Sequence, residues 1–244
     1  MFICGRNAVK EALSSGTTIN KILVDKNFEH RRDDVLRLAS EKKVKVEYVD
    51  KFILDKKSNG VRHQGFVAES VEFKYSSLDD LLESAKNSSR LPFFVLLDGI
   101  EDPHNFGAII RSCECAGVHG IVIPKNRACM VNETVIRTST GAISNMNIAV
   151  VTNLKEAIDL FKENGIWTFV AETGGENIYN KKLGHLPIAV VIGSEGNGVK
   201  QSLRSYCDGI VTLPLMGKVN SLNASVACGI VVFEILRQRE NADR

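Results

Sequence analysis

Between Phe93 and Leu213 six short apolar runs recur, and they constrain the fold more than any other feature. The runs are Phe93–Leu97, Val118–Ile123, Asn147–Val151, Ile166–Val170, Ile188–Ile192 and Gly209–Leu213. Runs this short and this uniformly apolar read as strands buried on both faces. Helical patterns separate several of them, and Asn153-Leu154-Lys155-Glu156 has the form of a capped helix start. Such alternation specifies an α/β domain with a mostly parallel sheet, whose ligands sit beyond the C-terminal ends of the strands. The loops at those ends are therefore where chemistry is to be sought.

The first 75 residues form a separate, smaller α/β pattern. Arg6–Leu13 reads as a helix stopped at Gly16, Ile19–Val24 as a strand, Arg31–Glu41 as a helix, and Val44–Val49 and Gly65–Val71 as strands. This third carries 15 Lys and Arg against 11 Asp and Glu, leaving 16 against 18 for the remainder. A basic front suggests an anionic partner such as nucleic acid, although Arg31-Arg32, Lys42-Lys43 and Lys56-Lys57 read equally well as solvated faces. Lys57-Ser58-Asn59-Gly60 followed by Arg62-His63-Gln64 reads as an exposed, donor-rich loop. The polar stretch 76–90 marks a linker, holding one short helix, Leu78–Ala85, after a Ser77 cap. The expected domains are thus 1–75 and 91–244.

The chain is 44% hydrophobic and 25% charged, the balance of an ordinary globular protein. No run reaches the ~18 apolar residues of a membrane span, and Arg6, Lys10 and Glu11 interrupt the place where a signal peptide would be apolar. A cytoplasmic protein is expected. The six cysteines lack C-x-x-C pairing, so reduced thiols are expected rather than a metal site or a disulfide framework.

Three strand-end loops stand out. In Asp98–Arg111, Asp102-Pro103 starts a helix, with Asn105 in its first turn and Arg111 about two turns in. Arg111 either pairs with a carboxylate or reaches a phosphate. The second loop, Gly193–Gly198, has the spacing G-x-x-G-x-G, which is neither the dinucleotide fingerprint nor the phosphate loop. Glu195 within it repels phosphate, and so favours a cationic or hydroxyl-bearing ligand unless the loop is a plain turn. In the third, Leu213–Gly229, Pro214 and Gly217 punctuate a loop before a helix from Ala224, and Ser221 and Asn223 read as helix caps.

Together these loops resemble the SpoU-type RNA ribose methyltransferases of the SPOUT superfamily. The residues that carry the resemblance are Asn105-Phe106-Gly107-Ala108-Ile109-Ile110-Arg111, Ile192-Gly193-Ser194-Glu195-Gly196-Asn197-Gly198, and Leu213-Pro214-Leu215 with Val219-Asn220-Ser221-Leu222-Asn223-Ala224-Ser225. Gly5-Arg6-Asn7-Ala8-Val9-Lys10-Glu11-Ala12-Leu13 and Arg62-His63-Gln64-Gly65 are similar to the ribosomal-protein-like substrate domain of the bacterial enzymes that methylate a guanosine ribose in large-subunit ribosomal RNA. The resemblance implies a deep trefoil knot in the C-terminal domain, a homodimer, and S-adenosylmethionine as methyl donor to a ribose 2′-hydroxyl of structured RNA. It further implies that the donor is held by Thr173, Gly174, Ile192, Gly193, Leu213, Leu215, Ser221, Leu222 and Ala224. Arg6, Asn7, Arg62, His63 and Gln64 would contact RNA.

The implied catalytic set is Arg111, Asn105, Glu195, Ser221 and Asn223, with Arg111 credited with taking the ribose proton. Arginine side chains stay protonated at ordinary pH, so gripping an adjacent phosphate and polarising the hydroxyl suits that residue type better. Carboxylates, as Glu195 supplies, are also weak bases for so weak an acid. His104 reads as structural. Two other classes stay open: transfer RNA as the acceptor, and a non-catalytic RNA-binding assembly protein. A nicotinamide oxidoreductase lacks its fingerprint.

Overall fold

The computed structural model describes residues 2–14, 19–70 and 73–242. These divide into two compact units between Lys74 and Tyr75. The first holds β1 (Phe2–Cys4), α1 (Arg6–Ser14), β2 (Ile19–Asp25), α2 (Asp34–Glu41), β3 (Lys45–Val49), α3 (Lys51–Ser58) and β4 (Phe66–Ser70). Its sheet runs β1-β4-β2-β3, with β2 and β3 parallel and the other pairs antiparallel. Strand alternation sends Ile22 and Val24 to the face covered by α1 and α2, and Leu23 to the face covered by Leu54 of α3. Asp33 caps α2 by accepting the Val35 N–H at 2.8 Å. Helix α3 occupies a stretch read partly as loop. It buries only Leu54 and Ser58, too thin a stripe to register as a helical period. The expected stop at Gly16 and the strand end at Val71 lie outside the described residues.

The second unit contains α4 (Leu78–Lys86), β5 (Phe93–Asp98), α5 (Pro103–Cys115), β6 (Gly120–Pro124), α6 (Glu133–Thr138), β7 (Ile148–Val151), α7 (Leu154–Glu163), β8 (Trp167–Asn177), β9 (Ile188–Gly193), α8 (Gln201–Arg204), β10 (Gly209–Thr212) and α9 (Ala224–Ala242). Its six strands are parallel, in the order β10-β8-β9-β5-β6-β7. β5 is fully buried from Phe93 to Leu97, as a central strand covered on both faces must be. Phe94 stacks on Phe161 of α7, ring centroids 4.6 Å apart, and burial of each such side chain stabilises by about 1.5–3 kcal/mol.

The helix expected within the linker is present, and it belongs to this unit. Ser77 and Asp80 form a reciprocal capping box at its start. Leu81, Leu82 and Ala85 then pack with Phe94, Leu96 and Ala149 in the core. Residues 78–86 are therefore structural rather than a free tether, because that apolar stripe covers the sheet.

His119 precedes β6 and is buried, and its Nδ1 accepts the Phe93 N–H at 3.1 Å. Burial, with Arg90 and Arg239 adding repulsion, lowers its pKa from 6.5 to about 4. The unfolded chain therefore binds the extra proton between those values, and stability falls as pH drops from 6.5 toward 4. Urea midpoints at pH 7.5 and 5 should show this loss. His119→Gln, which keeps an acceptor for Phe93, should flatten it; an unchanged slope would mean other groups carry the pH dependence.

Among the described residues no helix is long and apolar enough to cross a membrane. None of the six cysteines is in a disulfide; Cys113, Cys129 and Cys228 are buried, whereas Cys115 is exposed.

Candidate active site

The strand order brings the three loops to one edge. β9 lies between β5 and β8, with β10 beyond β8, so the loops after β5, β9 and β10 leave the same C-terminal side of the sheet. β8 contributes by a break in pairing. Its partner on β10 jumps from Ile210 opposite Val170 to Val211 opposite Glu176, which loops out the intervening residues. Thr212 Oγ1 pins that excursion, accepting the Gly175 N–H and donating to the Glu172 carbonyl, both at 2.7 Å.

Between these segments lies a cavity of about 310 Å³. It is lined from β8 by Ala171, Glu172 and Thr173, from the glycine loop by residues 192–198, and from the C-terminal loop by Thr212, Leu213, Leu215, Asn220, Ser221, Leu222, Ala224 and Ala227. Among the described residues no lysine or arginine lines it. Glu172 Oε2 is buried there without a hydrogen-bond partner, its nearest cation being Arg204 Nη1 at 3.5 Å. Such a wall suits a ligand with hydroxyls or positive charge and no phosphate.

Of the nine residues expected to hold a donor, eight line this cavity; Gly174 does not, and takes a left-handed turn beside it at φ +84°. Ala171, Thr212, Asn220 and Ala227 were not anticipated. They contribute mostly small or backbone surface, which leaves no chemical signature in a sequence. The glycine loop folds back on itself, Ser194 and Gly198 exchanging backbone hydrogen bonds. A Cβ on Gly193 would overlap the Gly198 backbone and lie 2.5 Å from the Val199 nitrogen. Gly193→Ala should therefore cost about 1–3 kcal/mol of stability and close part of the cavity. Urea unfolding measures the first effect and ligand calorimetry the second; unchanged values in both would show that the loop can simply open.

On Glu195, which lines the cavity, two more of the five implied catalytic residues converge. Glu195 Oε1 accepts Asn105 Nδ2 at 3.0 Å, the Ala224 N–H at 3.2 Å, and Asn223 Nδ2. Asn223 Nδ2 also donates to Asn105 Oδ1 at 2.9 Å. Asn223 caps α9 as expected, since its Oδ1 accepts the N–H groups of Ser225 and Val226. One side chain thus starts α9 and ties it to α5. Asp102 caps α5, accepting from His104 and Asn105, and so fixes where Asn105 points. Ser221 lines the cavity rather than capping.

Arg111 is placed differently. Six residues past Asn105, it stands about 9 Å further along α5 and on another face. It is exposed, and among the described residues it has neither ion pair nor hydrogen bond, so a structural salt bridge is not its role. Neither it nor the neighbouring Ser112 and Cys113 line the cavity. The helix runs away from the strand edge, and two turns are enough to carry Arg111 off it.

In the first unit Arg62, His63 and Gln64 line a separate cavity of about 690 Å³. His63 is buried there. Its Nε2 lies 2.9 Å from Asp55 Oδ1 and its Nδ1 accepts the Gly65 N–H at 3.0 Å, so both ring nitrogens are spent inside the fold. It is a packing residue instead of the exposed donor expected. Arg62 and Asn7 are exposed, Arg6 Nε pairs with Asp33 at 2.8 Å, and Gln64 Oε1 accepts the Arg6 N–H at 3.3 Å.

A model of the SpoU rRNA Methylase family matches residues 92–233, and one for RNA 2′-O ribose methyltransferase substrate binding matches residues 2–76. The Bacillus subtilis (strain 168) protein YacO, named for the TrmH family of tRNA/rRNA methyltransferases, is 40% identical over 239 residues, covering 98% of this chain and 96% of its own. A Staphylococcus haemolyticus (strain JCSC1435) protein of the same family name is 42% identical over 238 residues, covering 97% and 95%. Among solved structures, the SpoU methyltransferase AviRb from Streptomyces viridochromogenes, in complex with the cofactor AdoMet, has a TM-score of 0.70 at 23% identity, covering 99% of this chain and 91% of its own. The A. aeolicus TrmH/SpoU tRNA modifying enzyme has a TM-score of 0.57 at 28% identity, covering 68% and 84%. A family match over more than half its length, joined to relatives about 40% identical from end to end, means that the chain belongs to the SpoU rRNA Methylase family.

Proposed function

We propose that the protein methylates a ribose 2′-hydroxyl of structured RNA, with S-adenosylmethionine in the cavity between the β8, β9 and β10 loops. The observation that carries this reading is that cavity, in which no lysine or arginine is found among the described lining residues, and whose Glu195 accepts from Asn105 and Asn223 behind it. AviRb, with AdoMet bound, has the same fold, and the relatives' names give transfer or ribosomal RNA as substrate. Bound there, S-adenosylmethionine supplies an electrophilic methyl on a sulfonium. Glu172 would accept from hydroxyls of the ligand through Oε2, which has an ion pair to Arg204 but no hydrogen-bond partner, and Ile192, Leu213, Leu215 and Leu222 would cover its apolar parts. Glu195 would hold Asn105 and Asn223 in the geometry that positions the ribose. Arg111, unpaired and exposed about two turns further along α5, would grip a phosphate of the RNA lying across that helix.

The finer reading is a guanosine of large-subunit ribosomal RNA, delivered by the substrate-binding unit through Arg6, Asn7, Arg62 and Gln64. A homodimer and a knotted C-terminal domain belong to it. Val226 and Phe233 stand exposed two turns apart on α9, as an interface stripe would. After β10, at one sheet edge, the chain doubles back so that α9 packs on α5 and β9, the return a knotted tail requires. Incubation with isotopically labelled S-adenosylmethionine and fractionated RNA from cells lacking the protein tests the reading. Label in a 2′-O-methylnucleoside of ribosomal RNA is expected. Label in transfer RNA would move the substrate, and label on a base or nowhere would refute the activity.

A further inference from the structure

A second cavity, of about 560 Å³, opens at the same sheet edge. Its walls come from the loops after β5 and β6 and from the glycine loop after β9. From β5 the chain runs to one side of the sheet, and β9 heads the strands on the other. The cavity therefore sits at the topological switch point, where parallel sheets open a crevice. Ser194, Glu195, Asn197, Gly198 and Ala224 line both cavities, so the Glu195 carboxylate stands in a shared wall.

Most charges facing the second cavity are already committed. Asp98 is buried, paired with Lys200 Nζ at 3.1 Å and accepting the Lys200 N–H at 3.0 Å. Asp102 caps α5, and Glu195 is held by Asn105, Asn223 and Ala224. Among the described residues, the lining side chains of Glu101, Arg127 and Asn197 have no partner. Arg127 also has a left-handed backbone, φ +55°, a conformation suited to glycine.

We propose that the second cavity seats the acceptor nucleotide, with Arg127 gripping its phosphate and Glu101 reading its base. This rests on the methyl-transfer reading above, and adds to it where the acceptor enters and which side chains select it. A guanidinium fork matches phosphate oxygens, and the volume falls within the range of clefts that hold small ligands. A carboxylate can only accept hydrogen bonds. Guanine presents N1–H and N2–H side by side, one for each carboxylate oxygen. Adenine and cytosine place an acceptor nitrogen beside their amino group, and uracil places one N–H between two carbonyls, so a second carboxylate oxygen is repelled. Glu101 therefore favours guanosine.

The test uses the full-length protein, tritiated S-adenosylmethionine and RNA from cells lacking the protein, followed by digestion to nucleosides. Label in 2′-O-methylguanosine is expected; label in another 2′-O-methylnucleoside overturns the role of Glu101. Glu101→Gln should lower kcat/KM by about tenfold or more with donor affinity by calorimetry unchanged. Arg127→Gly removes the guanidinium while suiting the left-handed backbone, and should raise KM for RNA about tenfold at an undiminished Tm. Wild-type kinetics in either variant overturns that residue's role. Absence of any labelled 2′-O-methylnucleoside with the unaltered protein would instead sink the methyl-transfer reading itself.

Discussion

Replacing Glu195 with alanine is expected to lower methyl transfer by about 10²–10³-fold, the largest loss for any single side chain of the glycine loop. Its Oε1 holds three donors, from α5, from the loop before α9, and from the first N–H of α9 itself. Without it Asn105 and Asn223 lose the acceptor that fixes their amides, and the first turn of α9 loses an anion at its positive end. Asn223 is exposed and Asn105 half-buried, so the freed side-chain amides can turn to water, which leaves the N–H of buried Ala224 as the donor that loses its partner. The cost to stability should therefore be near about 1 kcal/mol, much smaller than the loss of rate. Glu195→Gln keeps an acceptor oxygen and should fall between. Equal, small effects of both variants on rate would mean that the junction is only a structural clasp.

Arg111→Ala is expected to abolish detectable methyl transfer, a loss of about 10²-fold or more, with donor affinity unchanged. Stability should shift by no more than about 0.5 kcal/mol, because Arg111 has no protein partner to lose. Arg111→Lys should not restore activity, since a point charge does not reproduce a planar fork on a phosphate. Steady-state kinetics separates two roles. A fall in kcat at saturating RNA fits a phosphate grip that aligns the ribose for transfer, whereas a rise in KM alone would reduce Arg111 to an RNA-holding residue. Loss of donor affinity would put it in the pocket wall, which its position on α5 argues against.

Much of this architecture is legible in the sequence. The six apolar runs became the six parallel strands, five of them with ends within two residues, because a strand buried on both faces leaves an unbroken apolar signature; β8 runs on past Val170 to Asn177, where its residues turn polar. Asp102-Pro103, Ser77 and Asn153 started helices as read, since capping is local chemistry. Helix α3 and the burial of His63 were not legible. The first hides few residues, and the second depends on Asp55 and Gly65 arriving at both ring nitrogens.

The sequence by itself determined the strand–helix alternation, the three polar loops and the residue types they carry. These follow from periodicity and capping within a few residues of chain. Only the tertiary structure decided that Glu195 is the common acceptor for Asn105 and Asn223, which lie 90 and 28 residues from it. It also decided that Arg111 leaves that edge, and that Glu101 and Arg127 share a cavity with Glu195. Strand order places loops side by side, and a helix rotates its residues away from one another; neither relation is written in local sequence.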